Sequence, residues 1–158
     1  MRIGHGYDAH RFEDGKKMII GGVEFTDCPY GLMAHSDGDV LCHAVCDSLL
    51  GAAGLGDIGK LFPDNDRTYK NIYSMLLLER VCEEVRKAGF EIDYIDSTLV
   101  AQQPKMAPYI QAMRETVAKY AGIPVERYNV KATTEEKMGF TGRLEGISAH
   151  AVCILKES

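Results

Sequence analysis

The stretch SDGDVLCHAVCDSLLGAAGLG, residues 36–56, decides how the rest of the chain is read. Ser36 followed three residues later by Asp39 has the form of a capping box, and apolar residues then recur at Val40, Ala44, Val45 and Leu49. The run closes on Gly51, Gly54 and Gly56, where a helix ends readily. A helix is therefore expected straight after an N-terminal strand region. Residues 1–25 read as a strand pair, Arg2 to His10 and Met18 to Phe25. Glu13-Asp14-Gly15-Lys16, with its Asp-Gly hairpin signal, is the expected turn between them.

Downstream, Asn71 to Ala88 reads as a second helix, with Ile72, Leu76, Val81 and Val85 on or near one face and Gly89 at its end. Phe90 to Gln102 reads as a strand and Pro108 to Ala121 as a third helix, stopped by Gly122 and Pro124. Arg127 to Thr134 and Ile147 to Lys156 are the last two strands. This order implies an α/β (α+β) fold over residues 1–158, a single domain with helices packed on one face of a mixed sheet.

Composition narrows the function. A chain of 158 residues buries roughly 70% of its unfolded surface, enough for a core without staples. Its 46% apolar and 26% charged residues are those of an ordinary globular protein. With 18 basic against 23 acidic residues the net charge is -5, and no basic run exceeds Lys16-Lys17, which argues against nucleic acid as a partner. No apolar run approaches the roughly 20 residues of a membrane helix. Met1-Arg2-Ile3-Gly4-His5 runs directly into a polar motif, so no secretory leader is expected. Five cysteines without a CxxC pair read as reduced, buried thiols of a cytoplasmic protein.

Four clusters carry chemistry. In Asp8-Ala9-His10 an extended backbone turns both functional side chains to one face, and His43, early in the capped helix, is the natural third ligand. One carboxylate and two imidazoles leave a tetrahedral position open, the pattern of a catalytic zinc. Alone, the Asp8/His10 pair also reads as a polar strand end. Cys42, His43 and Cys46 form a rival set, but His43 lies about 100° round the helix from Cys42. His5 and His150 have no partner at ligand spacing in the sequence. Asp57 to Asp66, with Gly59, suits a loop around a polyol phosphate, or a solvated acidic loop. Ala101 to Pro108 is a proline-fixed strand-to-helix connector. Lys131 to Arg143 offers hydroxyls, carboxylates and an arginine suited to a phosphate with Mg²⁺, or a polar strand end.

Four segments together resemble the 2-C-methyl-D-erythritol 2,4-cyclodiphosphate synthase family: IGHGYDAHRF (3–12), GLMAHSDGDVLCHAVCDSLLGAAGLGDIGKLFPD (31–64), AQQPKMAPYI (101–110) and NVKATTEEKMGFTGRLEGI (129–147). The resemblance implies that Asp8, His10 and His43 hold Zn²⁺, and that Asp8 and His10 also border the substrate. It implies that His35 and Ser36 contact phosphates, and that Asp57, Ile58, Gly59, Phe62, Asp64 and Asp66 form the methylerythritol end. Ala101, Pro104, Lys105, Met106 and Ala107, with Ala132, Thr133 and Thr134, would form the cytidine and diphosphate pocket. Glu136 would hold Mg²⁺ or Mn²⁺ bridging two phosphates, and His35 and Thr134 would stabilise the transition state. It further implies a homotrimer with active sites between subunits, and an isoprenoid diphosphate in a central cavity near Phe140 and Arg143. The chain departs from the family pattern at Glu135, where a threonine is usual, and at Asn65 and Arg67. A zinc phosphodiesterase and a non-catalytic isoprenoid-diphosphate binder are the alternatives.

Overall fold

The computed structural model describes residues 1–158. In chain order it contains β1 (Arg2–Asp14), β2 (Ile19–Ile20), β3 (Val23–Glu24), β4 (Tyr30–Leu32), α1 (Val40–Ala53), α2 (Ile58–Leu61), α3 (Ser74–Lys87), β5 (Phe90–Val100), α4 (Ile110–Ala121), β6 (Tyr128–Thr133), α5 (Gly139–Gly142) and β7 (Gly146–Glu157). The main sheet runs β4-β1-β7-β5-β6. It is mixed: β5 and β6 are parallel, while β1, β4, β7 and β5 pair antiparallel. α1, α3 and α4 cover one face, and the fold matches that expected from the order of elements.

The N-terminal hairpin differs from its sequence reading. β1 runs through Asp14 and pairs with β4, Glu13 opposite Gly31, so Asp14-Gly15 does not join two paired strands. The tight hairpin is instead β2–β3, where Gly21 (φ 59°) and Gly22 (φ 72°) supply the two left-handed residues of a two-residue turn. The first helix also begins later than expected. Asp39, not Ser36, caps it, accepting from the Cys42 amide at 3.0 Å. The second helix starts at Ser74, after Asn71 and Ile72. Its buried stripe runs through Met75, Leu78, Val81, Cys82 and Val85, which leaves Leu76, expected inside, 49% exposed.

α1 is apolar on nearly every side because it lies between the sheet and α3. Leu41, Leu49 and Leu50 are buried, each contributing about 2 kcal/mol of transfer free energy. Contact with β1 is unusually close. A methyl group placed on Gly6 would lie 1.8 Å from the Ala44 carbonyl oxygen, and one on Gly4 1.9 Å from that of Ser48. Only glycine admits the helix so near the strand.

Candidate metal centre and substrate cleft

That close approach builds the centre. The alternation that turns Gly4 and Gly6 toward α1 continues along β1 to Asp8 and His10. On the helix side Asp39 fixes where α1 starts and so places His43 opposite them. His10 Nε2 is 2.8 Å from Asp8 Oδ2, His43 Nδ1 is 3.0 Å from the same oxygen, and the two nitrogens are 3.2 Å apart. Three donor atoms converge, one from each residue.

The donor set fits zinc. The edge of a tetrahedron with bonds of about 2.0–2.1 Å is roughly 3.3 Å, close to these spacings, and two imidazoles with a carboxylate leave a fourth position for another ligand. Burial opposes the charge on Asp8, yet hydrogen bonds from His10 and His43 outweigh it and bring the carboxyl from 3.8 down to about 2. Burial likewise works against a charged His43, but its hydrogen bond to Asp8 prevails and the imidazole is raised. The rival cysteine set does not form: Cys42 and Cys46 lie side by side in the core, and the Cys42 thiol donates to the Ser74 carbonyl.

The three ligands open onto a cleft of about 270 Å³. His35, Ser36, Ile58, Gly59, Phe62 and Asp64 line it, so most of the expected phosphate and polyol residues share one cleft with the metal centre. Asp57 and Asp66 shape its rim instead. Asp57 caps α2 through the Lys60 amide, and Asp66 caps a 3-10 turn at Arg67–Tyr69 while its carbonyl accepts from His35 Nε2–H. Asp47, Tyr69 and Leu77 also line the cleft and escaped the sequence reading. Asp47 carried a usable signal, standing one helical turn after His43. Its carboxylate accepts from the Ile58 amide at 2.8 Å and so ties α1 to the loop; burial raises its pKa.

The remaining expected residues gather elsewhere. β5 and β6 end side by side, Val100 opposite Thr133, and the Ala101 amide donates to the Thr133 carbonyl. The connector with Ala101, Pro104, Lys105, Met106 and Ala107 thereby meets the segment Ala132 to Glu136, and the Lys137 amide donates to Gln102 Oε1. Pro104 and Lys105 line a second, larger cleft with Phe25, Cys28 and Tyr30. Glu136 is exposed with φ 54°, its amide donating to Thr134 Oγ1. Glu135, the departure beside it, accepts from the Thr141 hydroxyl at 2.9 Å and is thus engaged within the loop. Phe140 lies on α5 and Arg143 just after it, the arginine paired with Glu145. None of this second set lines the cleft of Asp8, His10 and His43 within one chain. His5 and His150, distant in sequence, are in fact partners: their rings approach to 3.1 Å on the exposed sheet face.

The chain is thus an α+β domain in which two histidines and one carboxylate that could hold a metal ion stand beside a polar cleft. The chain belongs to the YgbB family, whose family model matches residues 1–156. It is 58% identical over 157 residues to the 2-C-methyl-D-erythritol 2,4-cyclodiphosphate synthase of Trichlorobacter lovleyi, covering 98% of each chain. It is similar to the bifunctional IspDF from Campylobacter jejuni, with a TM-score of 0.95 and 46% identity, covering 99% of this chain and 42% of that one. A complex of Plasmodium falciparum IspF with CDP gives a TM-score of 0.86 at 31% identity, covering 99% of this chain and 96% of the other.

Proposed function

We propose that the chain converts 4-diphosphocytidyl-2-C-methyl-D-erythritol 2-phosphate to 2-C-methyl-D-erythritol 2,4-cyclodiphosphate and CMP. The convergence of Asp8, His10 and His43 on a cleft of about 270 Å³ carries this reading, in a family whose relatives bear that activity as their name. A 2-phosphate oxygen of the substrate forms the new bond to the β-phosphorus. The bond from that phosphorus to the oxygen shared with the α-phosphate breaks, and CMP leaves with that oxygen.

Two phosphates of like charge must be folded together, so positioning and charge compensation dominate. Zn²⁺ at Asp8, His10 and His43, and Mg²⁺ or Mn²⁺ at Glu136, would supply Lewis acidity and neutralise that charge. His35 and Ser36 hold the phosphates, and the loop Asp57 to Asp66 takes the methylerythritol. The connector Ala101 to Ala107 takes the cytidine, with Thr133 and Thr134 on the diphosphate; His35 and Thr134 stabilise the transition state. The CDP complex of the Plasmodium falciparum relative supports a nucleotide pocket.

A homotrimer completes the site. Its support is twofold: the metal cleft and the nucleotide connector stand apart within one chain, and the sheet face away from the helices is uncovered. There Tyr94, Ile154 and Ile3 form one cross-strand row, Asp96, Val152 and His5 the next, and Thr98, His150 and Tyr7 a third. Ile3, Tyr7, Tyr94 and Val152 are large apolar side chains left exposed on it. The isoprenoid diphosphate expected near Phe140 and Arg143 would sit at the centre of this assembly. A cytoplasmic location accords with five free cysteines, four of them buried.

Phosphorus NMR of the protein with the diphosphocytidyl substrate, Zn²⁺ and Mg²⁺ tests the reading, with His43→Ala as control. CMP together with a cyclic diphosphate, absent in the control, is the expected result. CMP with a linear product would replace it with a hydrolase. No turnover in folded, zinc-loaded protein would replace it with a binding module.

A further inference from the structure

The second nitrogen of His43 has its own surroundings. Nε2 lies 3.0 Å from Ser74 Oγ and 3.2 Å from Ser36 Oγ. Ser74, fully buried at the start of α3, has a single hydroxyl proton, and it donates that proton to Asp37 Oδ1 at 2.5 Å. The same carboxylate accepts the Ser74 amide at 2.8 Å and the Asp39 amide at 3.0 Å, so three hydrogen bonds hold it in place. Asp37 is itself 8% exposed, shielded from competing water.

We propose that Asp37 and Ser74 are positioning residues that fix the tautomer and ring orientation of His43 and thereby set the affinity of the metal centre. A serine hydroxyl has one proton and two lone pairs. With its proton committed to Asp37, Ser74 meets His43 only as an acceptor, so His43 Nε2 carries the hydrogen and donates. In the metal-free protein Nδ1 also carries a hydrogen and donates it to Asp8; a metal ion would displace that Nδ1 proton, and with Nε2 keeping its own the lone pair faces the ion from Nδ1, beside Asp8 and His10. Asp37–Ser74–His43 is thus a carboxylate, hydroxyl and imidazole chain behind the ligand, of the kind that orients metal-bound histidines. Ser36 also offers its oxygen to Nε2 and accepts the Gly38 amide at 3.3 Å. Its own proton stays free to turn into the cleft.

The same chain couples α3 to α1. Tyr73, at the N-terminus of α3, makes no side-chain cap, and Asp37 supplies that function from the loop before α1 through the Ser74 amide. One carboxylate therefore both seats α3 and orients the ligand on α1.

This inference rests on the zinc assignment but not on the cyclisation, so its test reads metal binding and not turnover. Zinc affinity is measured by competition with a chromophoric chelator, and the Co²⁺ form by its visible ligand-field spectrum. Ser74→Ala and Asp37→Asn are expected to weaken zinc binding about 10–100-fold and to alter the Co²⁺ spectrum. Ser74→Thr, which keeps the hydroxyl, recovers most of the affinity. In the zinc-loaded parent, proton NMR is expected to show a His43 Nε2–H that exchanges slowly with solvent. Folded Ser74→Ala that binds zinc within twofold of the parent would overturn the inference. So would an Nε2–H that exchanges freely in the parent, a readout that holds even if the variants fail to fold. A protein with intact relay behaviour but no cyclic product would instead sink the proposed reaction alone.

Discussion

The carboxylate of Asp39 and the backbone amide of Gly22 lie 2.7 Å apart across 17 residues of sequence. The other oxygen of Asp39 accepts from Gly21 at 2.8 Å and from Cys42 at 3.0 Å. One buried side chain therefore caps α1 and clamps the β2–β3 turn. Replacing it with alanine orphans three amides, and Asp39→Ala is expected to lower stability by about 3 kcal/mol. Urea unfolding followed by far-UV circular dichroism measures it. A loss below ~0.5 kcal/mol would show that water replaces the clamp.

Gly6 sets the distance between the metal ligands. A Cβ there meets the Ala44 carbonyl at 1.8 Å, so Gly6→Ala must push α1 off β1. The expected cost is about 3 kcal/mol or more of stability. Zinc affinity should fall with it, because His43 moves with the helix while Asp8 and His10 stay on the strand.

Metal removal should be visible without any assay of activity. A ligand that binds the folded state alone stabilises it by mass action. Chelation is expected to lower the melting temperature of the parent, while Asp8→Ala and His43→Ala melt at the same temperature with or without chelator. Calorimetry decides this, and an unchanged parent would argue against a zinc site at these residues.

The metal-free protein should lose stability in acid through Asp8. Its folded pKa is depressed from 3.8 to about 2, so its contribution is complete above the higher value and fades as pH falls toward the lower one. Thermal melts of chelator-treated protein across that window should show the decline, and Asp8→Asn should show a shallower one.

The uncovered sheet face should control assembly. Val152 is 44% exposed between His5 and Asp96 in its row. Val152→Glu places a charge in the proposed interface, and sedimentation equilibrium should then find a monomer in place of a trimer. A trimer that survives would put the interface elsewhere.

Much of this was legible in the chain. Period-two alternation along β1 already placed Asp8 and His10 on one face, and the apolar repeat after Asp39 already marked a buried helix with His43 near its start. Composition left Asp57 to Asp66 open between a polyol site and a solvated acidic loop, and only the tertiary structure puts Ile58, Gly59, Phe62 and Asp64 in the cleft. Boundaries were read less well. Ser36 reads as the cap in the sequence, with Asp39 as its capping-box partner, and only the seating of the Gly21-Gly22 turn on Asp39 shows that the helix uses the carboxylate and not the hydroxyl. Asp14-Gly15 reads as a hairpin because its local signal is right, but β1 found a longer partner in β7 and a different neighbour in β4. Leu76 looked inward because a helical stripe read with a one-residue error rotates by about 100°.

By itself the sequence determined the long helices, the one-sided helical layer and the three side chains, Asp8, His10 and His43, that could share a metal ion, since each depends on local periodicity and residue chemistry. Tertiary structure alone decided that Ser74 stands behind His43, that Asp47 reaches Ile58, that His5 meets His150, and that the two halves of the expected site stand apart. Those relationships join residues on different elements, from 11 to 145 positions apart. No pattern within a helix or strand encodes them, because they arise only when packing brings separate surfaces into contact.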